Sequence, residues 1–213
     1  MIALRPIHII LLSFLIKLGV GSKSVKFRAV KSIVKPLSHS LSSTEFEVWF
    51  NSDNIPVKLL HANPGILRSK KLDSNKYLGY LAPINFPGIV IKSVVIFDTI
   101  FEKNIFTASC SQKGLNQTIE GNPLFVKLVS KLLPTVTTKN VCKYDSSNKQ
   151  LINEASLDIF LSLPAWFPIP PQPLESAGSR AIQIGIDRDM AMFLDNLVNN
   201  FVEDKIEEAR NSI

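Results

Sequence analysis

The feature that most constrains this chain is one long amphipathic stretch near its C-terminal end. Ile186, Met190, Phe193, Leu194, Leu197 and Phe201 recur at spacings of three and four, while Asp187, Asp189, Asn196, Asn199, Asn200 and Glu203 lie off that stripe. The period predicts a helix from about Ser176 to Arg210 with one apolar face. Such a face has to be buried against another element. Most of the preceding chain reads as strands, so the inner face of a sheet is the only large apolar surface available. The expected fold class is α+β, a curved antiparallel sheet gripping a long C-terminal helix.

The strands are marked by period-two alternation and by turn residues between runs. Thr44–Phe50 alternates, with Phe46, Val48 and Phe50 on one side, and is expected to be a strand. A short helix follows near Pro56, carries Val57, Leu59 and Leu60, and ends before Asn63-Pro64-Gly65. Further strands are expected at Lys76–Leu81, Gly88–Phe101, Ile105–Ser111, Gln117–Glu120, Thr137–Tyr144 and Gln150–Leu163. Lys103-Asn104 and Asp145–Asn148 are the turns between two of these pairs, since asparagine and aspartate suit tight turns. Between Asn122 and Pro134 the apolar spacing becomes helical, which predicts a short amphipathic helix. Leu163–Leu174 holds five prolines and is expected to be a stiff, packed crossover, because proline lacks the amide hydrogen that helix and central strand require.

Charge is unevenly placed. The chain has 24 Lys+Arg against 18 Asp+Glu over 213 residues, a net charge of +6. Residues 1–43 hold seven basic residues and no acidic one, which leaves the remainder at −1. Met1–Gly21 has a charge at Arg5, an apolar run to Ile16 and small residues after it, the pattern of a signal peptide. It is shorter than the ~20 apolar residues a spanning helix needs. Residues 22–43 carry seven serines, five basic residues and no acid, the composition of a transit peptide. The expected domains are therefore a signal peptide at 1–21, a transit-like leader at 22–43 and the folded domain at 44–213. A signal peptide followed by a transit-like segment resembles the bipartite leader of algae with secondary plastids, which implies a plastid address. The alternative is the secretory pathway, where Asn116-Gln117-Thr118 would be a glycosylation sequon. A body near neutrality, without aromatics interleaved among basic residues, argues against nucleic acid as a partner.

At Leu163-Pro164 and Leu174-Glu175-Ser176-Ala177-Gly178 the chain resembles a specific family. The run LP…IP…LE-x-x-G before a long helix is similar to an uncharacterised cyanobacterial and plastid family, domain of unknown function nineteen ninety-seven. That family is itself similar to the START-like helix-grip superfamily. The resemblance spans about Thr44–Arg210. It implies a cavity between sheet and helix and brings no catalytic residue. Glu175 and Gly178 are expected at the helix start, where a carboxylate meets the positive helix end and glycine allows close approach.

Motifs for chemistry are scarce. His61 is the one histidine beyond residue 43 and is expected to meet the terminal carbonyls of its short helix. Cys110 and Cys142 read as two buried thiols, joined only if their strands place them side by side. No P-loop, dinucleotide fingerprint, zinc-protease or nucleophile-elbow motif occurs, so no catalytic residue, metal site or cofactor is assigned. Arg68, Lys70 and Lys71 read as a solvated strand edge. The favoured function is non-enzymatic binding of a lipid, pigment or isoprenoid between sheet and helix. The expected lining is Phe97, Ile159, Leu161, Trp166, Ile186, Met190, Phe193 and Leu197. Two other readings stand beside it. One is a structural or assembly factor for a photosynthetic or membrane complex, touching it peripherally. The other is a cyclase-like or hydrolase-like enzyme that uses the same cavity.

Overall fold

The computed structural model of the chain describes residues 22–86, 89–113, 116–123, 126–127, 135–164 and 170–212. Its described elements run β1 (Ser22–Pro36), α1 (Ser43–Phe50), α2 (Ile55–Ala62), β2 (Ile66–Asp73), β3 (Lys76–Leu81), β4 (Ile84–Phe86), β5 (Ile89–Glu102), β6 (Ile105–Lys113), β7 (Asn116–Gly121), β8 (Thr135–Asp145), β9 (Gln150–Pro164) and α3 (Pro171–Asn211). The strands form one curved antiparallel sheet in the order β1-β9-β8-β6-β5-β3-β2, and β4 and β7 also pair with β5. The helix α3 lies on this sheet along β1, so the expected helix-grip architecture is the one found.

The turns are made by the residues that favour them. Asn104 takes φ 60° between β5 and β6, and Lys149 takes φ 50° between β8 and β9. The Asp145 carboxylate accepts the backbone N–H groups of Ser147 and Asn148 in the second turn. The expected helix at Asn122–Pro134 lies almost wholly outside the described residues.

Residues 44–50 are helix and not strand. Phe46, Trp49 and Phe50 are buried at the helical spacing i, i+3, i+4, whereas Val48, on the expected strand face, is 70% exposed. The sequence also carries a cap. Ser42 Oγ accepts the Glu45 N–H at 3.3 Å, a serine followed three residues later by glutamate. The signal of period two was coincidental, because one turn of helix also returns Phe46 and Phe50 to one side.

The largest correction concerns residues 22–43. Ser22–Pro36 is a fifteen-residue strand, paired with β9 from Ser22↔Pro164 to Pro36↔Gln150. The folded domain therefore includes residues expected to be leader and does not begin at residue 44. Its basic residues are neutralised by acids far along the chain. Lys26 and Arg28 lie 3.5 and 3.8 Å from Asp158, Lys31 lies 3.2 Å from Asp187, and Lys35 meets Asp195. Only Arg5 and Lys17 of the 24 basic residues come before Ser22, so residues 22–213 stay basic rather than near neutral.

As an edge strand β1 has one row of amides without a strand partner. The helix α3 supplies the acceptors. Glu175 Oε1 takes the Lys26 N–H at 2.8 Å, Ser179 Oγ takes that of Arg28 at 3.1 Å, and Gln183 Oε1 takes that of Val30 at 3.2 Å. The geometry explains the spacing. Four helical residues rise about 6 Å, and two strand residues rise about 6.7 Å, so every fourth helix side chain meets every second strand amide.

The helix starts five residues before the expected Ser176. Pro171 and Pro173 fit its first turn, where N–H groups have no acceptor within the helix, so proline costs little there. Leu174–Gly178 is accordingly inside the helix and is not a turn before it. Glu175 serves the edge strand, and Gly178 serves close packing. A Cβ on Gly178 would come within 2.5 Å of the Phe27 ring. The remainder of the proline-rich crossover, residues 165–169, lies outside the described residues.

The core gathers at one end of the sheet. Phe46 is fully buried and meets Trp49, Phe50, Tyr144 and Phe201 at ring-centroid distances of 5.4, 6.1, 5.0 and 5.0 Å. Leu194 and Leu197 of α3 and Leu59 of α2 join this cluster. Asp204 closes its rim, accepting from Trp49 Nε1 and Lys58 Nζ. Burial works to raise the Asp204 pKa, but these hydrogen bonds and the charges of Lys58 and Lys205 hold the carboxyl below its usual range.

Candidate functional site

The inner sheet face is built in rows across β6, β8 and β9. One row is Phe106–Cys142–Asn153, the next Ala108–Asn140–Ala155, and the next Cys110–Thr138–Leu157. Small side chains dominate the second row and persist into the third. Alanine, cysteine and threonine cannot reach across the gap that separates a sheet from the helix packed on it. The outcome is a cavity of about 270 Å³. Leu59 and Leu60 of α2 and Ile186 and Phe193 of α3 line it opposite the sheet. Val95 and Phe97 of β5 form a side wall, with Phe97 lying over Gly79 of β3, where a Cβ would meet the ring at 2.5 Å.

The lining is apolar apart from a few groups. Asn63 enters from the loop after α2, and Thr138 and Asn140 enter from β8. Lys139 contributes at the edge, but its side chain is exposed and falls on the other face of β8. Cys110 is the one titratable side chain on the described inner face of the lining. Its burial, then the charge of Asp98, push the thiol pKa up. Cys142 is fully buried, and burial raises its pKa as well. The two thiols are free, and their strands are neighbours in the sheet. Cys142 nevertheless sits opposite Phe106, and Cys110 opposite Thr138, four residues apart along β6. That offset is about 13 Å, beyond the reach of a disulfide.

Four buried polar side-chain atoms lack a hydrogen-bond partner among the described residues: Asn140 Oδ1, Asn153 Oδ1, Asn153 Nδ2 and Asp158 Oδ1. The last faces Lys26 and Arg28. The other three belong to two asparagines on the inner face, beside the cavity.

The expected lining residues are dispersed. Phe97, Ile186 and Phe193 line the cavity. Met190 and Leu197 are buried, Leu197 in the core cluster at the closed end. Ile159 and Leu161 lie opposite Phe27 and Val25 of β1, outside the cavity wall. Trp166 falls outside the described residues. The small residues Ala108, Cys110 and Ala155 were missed. Their signal was present in the alternation of β6 and β9, where small residues fall on the face expected to be apolar and large.

His61 does not meet the carbonyls of its helix. Its Nε2 lies 3.0 Å from Ser69 Oγ and accepts the Ser69 N–H at 3.3 Å, on the exposed side of β2. Arg68, Lys70 and Lys71 are exposed on this edge strand, as expected. A second depression, lined by α3 alone around Pro173, Ala177 and Ile184, is an open surface groove. Among the described residues no cluster of three or more His, Cys, Asp or Glu could hold a metal ion.

No family model matches the sequence, and no curated protein matches it either. Solved structures do resemble the chain course. A conserved protein from Geobacillus kaustophilus is 12% identical, covers 83% of this chain and 96% of its own, and has a TM-score of 0.42. A START superfamily protein from Mycobacterium smegmatis is 10% identical, covers 89% of this chain and 99% of its own, with a TM-score of 0.35. The ZhuI aromatase/cyclase from Streptomyces sp. R1128 is 7% identical, covers 84% of this chain and 94% of its own, with a TM-score of 0.43.

Proposed function

We propose that the protein binds a small apolar molecule in the cavity between the sheet and α3 and does not transform it. The observation that carries this reading is the cavity itself, about 270 Å³ and lined mostly by apolar side chains. Small-molecule sites typically run from about 300 to 1,000 Å³. This cavity lies just under that range, which favours a short acyl chain or a small isoprenoid over a large pigment. Burial pushes both inner-face thiols, Cys110 and Cys142, upward, so neither offers a nucleophile or a general base at neutral pH.

Filling the cavity tests this directly. Ala155→Phe adds a ring at the centre of the second row, where the wild-type side chain leaves space. The protein should fold with its melting temperature nearly unchanged. It should come out of its own cells without the apolar molecule that native mass spectrometry finds on the wild type. Repeated recovery of the wild type without any such molecule would sink the binding reading.

The plastid address is part of the same proposal. Met1–Gly21 carries the signal-peptide pattern, while Ser22–Pro36 belongs to the sheet and stays in any form that keeps this fold. Met1–Ser43 fused to a fluorescent protein is expected in the plastid, and Met1–Gly21 alone is expected to stop in the secretory route. Secretion of both fusions would instead support the secretory alternative.

A further inference from the structure

We propose that Asn140 and Asn153 form the polar end of the cavity and select a neutral ligand that carries a hydroxyl group; this rests on the binding reading above. Asn153 is completely buried, yet neither its Oδ1 nor its Nδ2 has a partner, and Asn140 Oδ1 is buried without one as well. A buried polar group without a hydrogen bond bears its full desolvation penalty, and native interiors rarely leave a whole carboxamide in that state. Two such side chains together at the edge of an apolar cavity therefore point to a missing polar partner.

Their placement is specific. Cys142 pairs with Asn153 and Asn140 with Ala155, which makes the two asparagines diagonal neighbours on one sheet face. Diagonal neighbours lie about 7–8 Å apart, within reach of one group placed between their side chains. Asn140 lines the cavity, and so does Ala155, the residue next to Asn153 on the same face of β9.

The unpartnered set consists of two carbonyl oxygens and one NH2 group. A hydroxyl engages two of the three, since its O–H donates to one carbonyl oxygen and its oxygen accepts from Asn153 Nδ2. A carboxylate brings only acceptors and a charge. The cation nearest along this face, Lys31 opposite Ala155, is engaged with Asp187 at 3.2 Å. A hydrocarbon or an ether leaves the carbonyl oxygens without a donor. Sites built to bond a hydroxyl discriminate strongly against analogues that lack it.

Three probes of similar size separate these cases: 1-octanol, methyl heptyl ether and octanoate, each titrated calorimetrically at about pH 8. The wild type should bind 1-octanol at least ~10-fold more tightly than the ether or the anion. Asn153→Leu should bring the three within ~2-fold of one another and raise the melting temperature of the empty protein, because an unpaired carboxamide gives way to an apolar group of similar size. Asn140→Leu, at a half-buried position, provides the same comparison should the first variant fail to fold. Equal affinity of wild type for octanol and ether, or a preference that survives both substitutions, overturns this inference and leaves the binding reading standing. Absence of binding by all three probes overturns both.

Discussion

A chain that begins at Thr44 is expected not to fold, whereas one that begins at Ser22 is expected to unfold in a single cooperative transition. Removing β1 exposes the whole edge of β9, which pairs with it along its full length. The truncation also removes the fully buried Val25, the buried Ala29 and, just beyond β1, the buried Leu37. It strips Glu175, Ser179 and Gln183 of the amides they bind, and it leaves Asp158, Asp187 and Asp195 without their cations. The exposed ion pairs contribute little, about 0–1 kcal/mol each. The loss of strand pairing and apolar burial dominates. A domain stable by only about 5–15 kcal/mol does not survive the loss of an edge strand of this length. Circular dichroism and thermal melting of the two forms provide the test. A cooperative melt from the shorter chain, within a few degrees of the longer one, would show that residues 22–43 are dispensable to the fold.

Phe46→Ala is expected to be the most damaging single truncation. The ring is fully buried and touches four other aromatic rings from α1, β8 and α3. Losing a buried phenylalanine costs about 3–5 kcal/mol, from lost transfer energy and from the cavity left behind. Since α1, the β8–β9 hairpin and α3 all converge on this ring, the site has little freedom to collapse. For a domain of this size the melting temperature should fall by roughly 6–20 °C. Val48→Ala on the same helix, with its side chain 70% exposed, should change stability by less than about 0.5 kcal/mol. The contrast separates the helix from the expected strand, which would bury Phe46 and Val48 on one face. Similar losses from the two substitutions would contradict α1.

Much of the architecture was legible because its signals are local. The strand at Gln150–Pro164 announced itself by alternation and those at Lys76–Leu81 and Ile105–Lys113 by the turns that bound them, with bounds that follow Asn104 and the Asp145–Lys149 turn closely. The apolar stripe of α3 was legible for the same reason, and Met190, Phe193, Leu194, Leu197 and Phe201 are its buried residues. Residues 44–50 were misread because seven residues fit both periods when Phe46 and Phe50 stand four apart. The serine-to-glutamate cap at Ser42 and Glu45 was the deciding signal.

By itself the sequence determined the period of α3 and of most strands, the turns at Asn104 and Asp145–Lys149, and the class of fold that a single long amphipathic helix requires. Tertiary structure alone decided two things. The first was the nature of residues 22–36, because a basic, serine-rich segment has the same composition as a leader or as an edge strand. Its acids and acceptors stand on β9 and α3, about 150 residues away for Lys26 and Glu175. The second was the cavity, because empty space belongs to no residue. It arises where Ala108, Asn140 and Ala155 come into one row from three strands beneath the helix. No window along the chain contains that row, since strand register and helix placement are set by packing across the whole domain.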